Sequence, residues 1–211
     1  MMENLAGMRK NYTRHVLDER SAAADPFDQF GVWIDEVQGT DALEANSMIL
    51  ATVDQHGAPS ARTVLLKACD QRGLVFYTNH DSRKGRNIAE NPAVALVFNW
   101  PTLERQVRIE GLASRVADEE SDAYFQSRPL GSQIGAAAAP QSEPVPDRAF
   151  LEARFERLAA SAGPIPRPAN WGGYRVAPAM FEFWQGRPNR LHDRLRYDRT
   201  PQGWEIIRLA P

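Results

Sequence analysis

The sequence predicts an α+β protein built on an antiparallel β-barrel, and three observations carry that reading. Between residues 47 and 116 β-rich runs follow one another, the first three separated by the turn signals QHGA and DQRG. Helix-forming segments then occupy about residues 118–162. Further β-rich runs close the chain, and strands on both sides of a helical insertion imply one antiparallel sheet with flanking helices. The expected organisation is a mobile N-terminal arm, residues 1–24, followed by a single domain, residues 25–211.

Each element has a local reason. Residues Glu3 to Glu19 have helical character but mixed polarity, which suits a weakly anchored arm. In DPFDQFGVWIDEV, Asp25 is placed to cap a helix and Pro26 to occupy its first position. Phe27, Phe30, Ile34 and Val37 then form an apolar stripe at helical spacing. After TDALEAN the texture changes to SMILATVD, PSARTVLLKAC, LVFYT, AVALVFNW and RQVRIEGLASRV, all β-rich. DEESDAYFQSR, a shorter piece around GSQIGAAAA, and DRAFLEARFERLAASA read as helices. The loops APQSEPVP and GPIPRPANWGG separate the later elements. YRVAPAMFEFWQ, NRLHDRLRY and GWEIIRLAP read as strands of the same sheet.

The totals exclude several classes of partner. A content of 43% hydrophobic and 25% charged residues is that of an ordinary globular protein with a real core. Twenty-five basic against 27 acidic residues argue against a general nucleic-acid or membrane-surface binder, so any anion site must come from local clustering. Cys69, the single cysteine, sits in LLKACD and reads as strand packing; no disulfide is available. No signal-peptide core or transmembrane-length segment is evident, and a cytoplasmic location is expected.

Three clusters point to anions. In DSRKGRNIAEN, Ser82 or Asp81 caps a helix whose first turn carries Arg83 and Lys84, where the helix dipole disfavours cations. Either both side chains extend into water, or a phosphate on the free N–H groups reconciles charge and dipole. In SARTVLLKAC, Arg62 and Lys67 are five apart, so a regular strand sends them to opposite faces, toward two ligands or toward solvent on an edge. In YFQSRPLGSQIG, Tyr124 lies one helical turn before Arg128, and Ser132 can cap the next helix. Those three side chains suit a phosphate; equally, Tyr124 could be core and Arg128 a C-terminal charge complementing the helix dipole.

NRLHDRLRYDR poses a fourth question, with four arginines and a histidine in eleven residues. As a strand it places Arg190, His192, Arg194 and Arg196 on one face, and Leu191, Leu195 and Tyr197 on the other. That cationic face is either the solvated side of a hairpin or one wall of an anion site. Other chemistries find little support. His15, His56, His80 and His192 lack metal-ligand spacing, so no metal is expected. No nucleophile elbow, phosphate-binding P-loop or strand-linked dinucleotide fingerprint occurs. Glu119 and Glu120 sit in a solvated helical stretch. Trp100, Trp171, Trp184 and Trp204 read as core or interface, with a flat aromatic ligand against one of them as the alternative.

Taken in order, RTVLLK, VFYTN, SRKG, LERQVRIEG, YFQSRP, GSQIGA, PQS, WGGYRV, FEFWQG and NRLHDR resemble the pyridoxamine/pyridoxine 5′-phosphate oxidase family, FMN enzymes of vitamin B6 metabolism. The likeness runs from about Met8 to Pro211, including the terminal RLAP. It implies a split β-barrel homodimer with one FMN in each of two clefts between subunits. The implied substrates are pyridoxamine 5′-phosphate and pyridoxine 5′-phosphate, oxidised to pyridoxal 5′-phosphate. Dioxygen is the acceptor, hydrogen peroxide is released, and ammonia leaves from the amine.

The same resemblance assigns roles. Arg62, Thr63, Val64, Leu65, Leu66 and Lys67 would line the FMN site with Tyr77 and Thr78 beside them. Arg83 and Lys84 would hold the FMN phosphate, and Gln106, Gln141, Ser142, Trp184 and Arg194 would complete the flavin contacts, Gln141 and Ser142 across the dimer. Lys67, Tyr124, Arg128 and Ser132 would hold the substrate phosphate. Arg190 and His192 would be the catalytic pair facing the pyridine ring, with Leu191 between them, and Arg9 and Tyr12 would close over the substrate. The Ala-rich AAAAPQS and the first residues of NHDSRK depart from the usual pattern without removing a named donor. A flavin oxidase of phenazine-type biosynthesis, or a non-catalytic flavin-binding protein, shares the implied fold.

Overall fold

The computed structural model of this chain describes residues 7, 11–161 and 163–211. Helix α1 spans Pro26–Gln38 and is followed by strands β1 (Ser47–Val53), β2 (Pro59–Leu65), β3 (Ala68–Asp70) and β4 (Gly73–Asn79). Helix α2 (Arg83–Glu90) precedes β5 (Ala93–Trp100) and β6 (Arg105–Arg115). Helices α3 (Asp118–Ser127), α4 (Leu130–Ala138) and α5 (Arg148–Ala159) come next. Strands β7 (Trp171–Gln185), β8 (Asp193–Thr200) and β9 (Gly203–Arg208) end the chain. The sheet order is β2-β1-β5-β6-β7-β4-β3, with β8 paired to β7 and β9. The class is α+β on an antiparallel sheet, as the sequence predicts. No described helix is long and apolar enough to cross a membrane.

The chain divides into two compact units. The first takes residues up to Ile49, Leu96–Glu110 and Pro178–Pro211; the second takes Leu50–Ala95 and Gly111–Ala177. In the first unit, Asp25 caps α1 by accepting from Phe27 N–H at 2.7 Å, with Pro26 at the first helical position. The apolar stripe of α1 is buried at Phe27, Phe30, Trp33 and Val37. Phe30 packs edge-on to Phe98 with centroids 5.0 Å apart, and Trp33 meets Phe183 at 5.2 Å. Arg105 lies over Trp33 and donates to Gln185 Oε1 at 2.9 Å and to the Glu36 carboxylate. Its buried charge is thereby neutralised by Glu36, while Gln185 satisfies a further donor. The chain before α1 is tied down by acids: Glu104 Oε2 accepts from Thr13 N–H at 2.9 Å and Arg14 N–H at 3.2 Å.

In the second unit, β4 pairs along Leu74–Asn79 with Val176–Trp171 of β7. Within the first unit, Met180–Gln185 of the same long strand pairs with Asp198–Asp193 of β8. The tight β3–β4 turn depends on Gly73, whose φ is 137° and where a Cβ would stand 2.0 Å from the Val176 carbonyl oxygen. Only glycine meets both conditions.

Four readings of the sequence need correction. The run PSARTVLLKAC is not one strand: β2 ends at Leu65 and β3 begins at Ala68, so Lys67 lies between them and the face-parity argument linking it to Arg62 does not apply. The strand predicted from Asn189 begins at Asp193, because Pro188–Arg190 form a 3-10 turn with φ of 56° at Asn189 and 62° at Arg190. Leu191 is consequently 69% exposed, whereas Leu195 and Tyr197 are buried as predicted. Ser132 does not cap α4; it lies inside a helix that starts at Leu130 after Pro129. Cys69 sits on β3 but is exposed.

Two stability experiments follow from this framework. Gly73→Ala is expected to cost about 2 kcal/mol or more, through positive φ and the carbonyl clash, measured as a lowered urea midpoint. His80 is buried, with neither ring nitrogen hydrogen-bonded, and desolvation lowers its pKa below the ordinary 6.5, with Arg115 and Arg167 adding to the effect. The unfolded state therefore takes the proton first, so stability is full above pH 6.5 and is lost as pH falls through the lowered value. His80→Leu is expected to flatten that acid limb in urea titrations, and an unchanged slope would contradict the assignment.

Candidate active site

The second unit builds a basic helix start. Strand β4 delivers Tyr77, Thr78 and Asn79, and the chain turns into α2 through His80, Asp81 and Ser82. Ser82 caps α2: its Oγ accepts from Gly85 N–H at 3.3 Å and its hydroxyl donates to the Asn79 carbonyl at 2.7 Å. Gly85 permits this closure, since a Cβ there would stand 2.0 Å from the His80 carbonyl oxygen. The first turn of α2 holds no acidic residue. Lys84 is 8% exposed, and its ammonium donates to Thr78 Oγ1 at 3.0 Å, Ser82 Oγ at 3.3 Å and Gln141 Oε1 at 3.3 Å. All three are neutral oxygens. Burial, with the charge of Arg62 adding to it, pushes Lys84 down to about 8. Arg62 in turn is lowered by burial and by Arg83. Three cations thus raise one another's electrostatic energy at a helix N-terminus, the arrangement that an anion relieves.

A cavity of about 530 Å³ opens within the same unit. It brings together Thr63, Val64, Leu65, Lys67, Tyr77, Thr78, Lys84, Tyr124, Arg128, Ser132 and Gln141, all named from the sequence. Arg128 stands at the junction of α3 and α4, with its guanidinium 4.8 Å from the Trp171 ring and 5.7 Å from Phe125. Its Nη1 is buried without a hydrogen-bond partner, and desolvation lowers its pKa. Tyr77 and Tyr124 stack at 3.9 Å beside it. The lining thus carries two cationic stations, around Lys84 and around Arg128.

Other expected residues fall elsewhere. Arg62 does not line the cavity; it donates to Thr52 Oγ1 at 2.8 Å, Ser60 Oγ at 2.6 Å and the Leu50 carbonyl at 3.2 Å. Arg83 and Ser142 belong to the same unit, both exposed, and Leu66 is buried; none of the three lines the cavity. Gln141 accepts from Thr78 Oγ1 at 2.9 Å in its own chain. Arg9 lies outside the described residues. Sequence reasoning missed Asn79, Pro129, Gly135, Ala136 and Ala139 in the lining. The small-residue run GAAAA was the available signal, because short side chains on α4 leave room for a ligand.

The first unit holds the remainder. Trp184 packs on His192 at 4.7 Å and edge-on to Tyr12 at 5.7 Å. His192 Nδ1 accepts from Arg187 N–H at 3.1 Å, and burial followed by the charge of Arg190 lowers its pKa. Arg190 is exposed on the 3-10 turn. Arg194 donates to Glu182 Oε1 at 2.8 Å and to the Ala210 carbonyl at 2.8 Å, and Arg196 pairs with Asp198. The strand arginines are therefore compensated by acids rather than left to repel one another. Gln106 is half-buried on β6.

Comparison with known proteins agrees with these features. The model of the family described as pyridoxamine 5′-phosphate oxidase matches residues 9–162. A second, described as the pyridoxine 5′-phosphate oxidase C-terminal dimerisation region, matches residues 171–211. A pyridoxine/pyridoxamine 5′-phosphate oxidase of Bordetella petrii is 57% identical over 99% of this chain and 100% of its own length. One from Burkholderia mallei is 54% identical over 100% of both. Among solved structures, PhzG from Burkholderia lata, in complex with tetrahydrophenazine-1-carboxylic acid, superposes with a TM-score of 0.88 at 30% identity, covering 93% of this chain and 98% of that one. A pyridoxamine 5′-phosphate oxidase-related, FMN binding protein from Nostoc punctiforme, at 18% identity and a TM-score of 0.73 over 90% of this chain and 100% of its own, shares the fold. With full-length relatives above half identity and family models spanning nearly the whole sequence, this split-barrel chain belongs to the pyridoxamine 5′-phosphate oxidase family.

Proposed function

We propose that the chain is an FMN-dependent oxidase converting pyridoxamine 5′-phosphate or pyridoxine 5′-phosphate to pyridoxal 5′-phosphate in the cytoplasm. Dioxygen is the acceptor and hydrogen peroxide the co-product, with ammonia released from the amine. The observation that carries the reading is the cavity lined by two cationic stations, Lys84 and Arg128, neither with a carboxylate partner among the described residues. Two phosphorylated rings in one cleft would answer both. The donor set fits FMN: the buried ammonium of Lys84, with Arg83 beside it in a first helical turn that holds no acid, suits its phosphate. Gln106, Gln141, Ser142, Trp184 and Arg194 would contact the flavin in a homodimer with sites at the subunit interface. When bound, FMN supplies the two-electron acceptor for the substrate's 4′ carbon and returns those electrons to dioxygen.

The protein's own work is binding and orientation. Lys67, Tyr124, Arg128 and Ser132 would take the substrate phosphate, which fixes the ring at one end. Arg190, Leu191 and His192 would meet the ring and its substituents, with Arg9 and Tyr12 over them. Because His192 Nδ1 already accepts a backbone N–H, its neutral ring carries the proton on Nε2 and offers a donor there. Holding the reacting carbon in position is worth, at best, on the order of 7 kcal/mol of barrier or more. Water then hydrolyses the imine formed from the amine, giving aldehyde and ammonia.

The likeness to PhzG supports a second reading, oxidation of a phenazine-type precursor. A substrate without phosphate would leave Lys67, Tyr124, Arg128 and Ser132 with no anion to hold, so the first reading is preferred.

Purified protein should be yellow, and pyridoxamine 5′-phosphate under air should yield aldehyde and peroxide; a colourless preparation that ignores FMN would end the proposal. Lys84→Ala is expected to weaken FMN affinity about tenfold or more, as for loss of a charged hydrogen-bond donor, read by flavin fluorescence titration. Arg190→Met is expected to lower kcat about a hundredfold with FMN occupancy nearly unchanged. Equal loss of turnover and flavin would contradict its role.

A further inference from the structure

Trp171 is the first residue of β7, paired with Asn79 of β4, and only 6% exposed. It touches both kinds of group on the Arg128 station. Its ring is parallel to Tyr124 within 5° at 6.2 Å and to Tyr77 within 13° at 5.6 Å. The Arg128 guanidinium lies 4.8 Å from its centroid, and Phe125 meets it edge-on at 5.1 Å. Its own backbone is fixed by Arg167 Nη1, which donates to its carbonyl at 2.6 Å, and by its N–H donation to Pro168. The Arg128 backbone is held as well, its N–H donating to the Phe125 carbonyl at 3.3 Å and its carbonyl accepting from Gln133 Nε2 at 2.9 Å, but in its side chain the buried Nη1 has no partner. An aromatic face is therefore what keeps an unneutralised guanidinium from swinging to water.

We propose that Trp171 is a positioning and specificity-determining residue for phosphate monoesters. Its indole fixes the orientation of the Arg128 guanidinium plane at the cavity wall and sets the height of the Tyr124 hydroxyl beside it. A planar guanidinium fixed this way matches two phosphate oxygens at once, which a freely rotating one does not. The inference rests on the substrate reading above and adds to it the residue that orients the phosphate-binding arginine.

The test uses the FMN-saturated holoenzyme with Trp171→Phe and Trp171→Leu. KM for pyridoxamine 5′-phosphate is expected to rise about threefold in the phenylalanine variant and about tenfold or more in the leucine variant, the size of a lost cation–π contact. In both, kcat and FMN occupancy should stay within about twofold, since uniform binding is what is removed. In an Arg128→Gln background Trp171→Leu should add little, because Trp171 acts through Arg128. Unchanged KM in either folded variant, or a full additive loss in that background, would overturn the proposal. If the leucine variant does not fold, the phenylalanine variant decides. Phosphorus NMR titration of inorganic phosphate supplies a readout independent of turnover: affinity should fall in the order native, Trp171→Phe, Trp171→Leu. Native enzyme that fails to oxidise pyridoxamine 5′-phosphate would count against the function reading, while the phosphate titration would still decide on Trp171.

Discussion

The constraint on which the site depends is positive charge placed in a cleft without acids to neutralise it. Among the described residues, Lys84 has only neutral oxygens around its ammonium, and Arg128 leaves Nη1 buried and unpaired. Burial of an ion without a counter-ion costs several kcal/mol. A chain able to pair Arg105 with Glu36, Arg194 with Glu182 and Arg175 with Asp70 and Glu120 evidently has acids to spare. Their exclusion from this one cavity therefore reads as a place kept for an external anion.

The fold serves that constraint in the second unit with rigid parts. Strand β4 and the start of β7 supply Thr78 and Trp171 in register, and the capped turn into α2 fixes Lys84 between Ser82 and Thr78. The α3–α4 junction brings Arg128 against the aromatic stack. In the first unit the same reasoning runs in the opposite direction. Arg194, Arg196 and Arg208 are each met by a carboxylate. They hold the strands and the N-terminal segment in place.

Much of this was legible in the sequence, for identifiable reasons. The Asp25–Pro26 start of α1 and three members of its stripe, Phe27, Phe30 and Val37, follow from local spacing and capping and survive folding, while Trp33 takes the buried place expected of Ile34. The misplaced cations of SRKG signalled the Lys84 station, since a local rule broken at a helix start has to be compensated by something. What failed depended on backbone conformations that spacing does not encode. Positive φ at Asn189 and Arg190 delayed β8 to Asp193, which removed Arg190, Leu191 and His192 from the strand face assigned to them. The break after Leu65 likewise freed Lys67 from strand parity. Arg194 finds its carboxylate, Glu182, on the neighbouring strand β7, outside the run, so an arginine that looked unpaired is not. Trp171 was visible only as an aromatic residue of undecided role, because its meaning comes from the three rings and one guanidinium that tertiary packing gathers around it.

The most direct measurement is the thermal stability of flavin-free protein in millimolar inorganic phosphate, compared with chloride at equal ionic strength. If the cleft keeps its cations for anions, phosphate raises Tm by mass action. The variant Lys84→Met/Arg128→Met would then be at least as stable as the native chain in chloride and gain less from phosphate. Identical phosphate increments in the two proteins, or a native Tm indifferent to phosphate, would contradict the account.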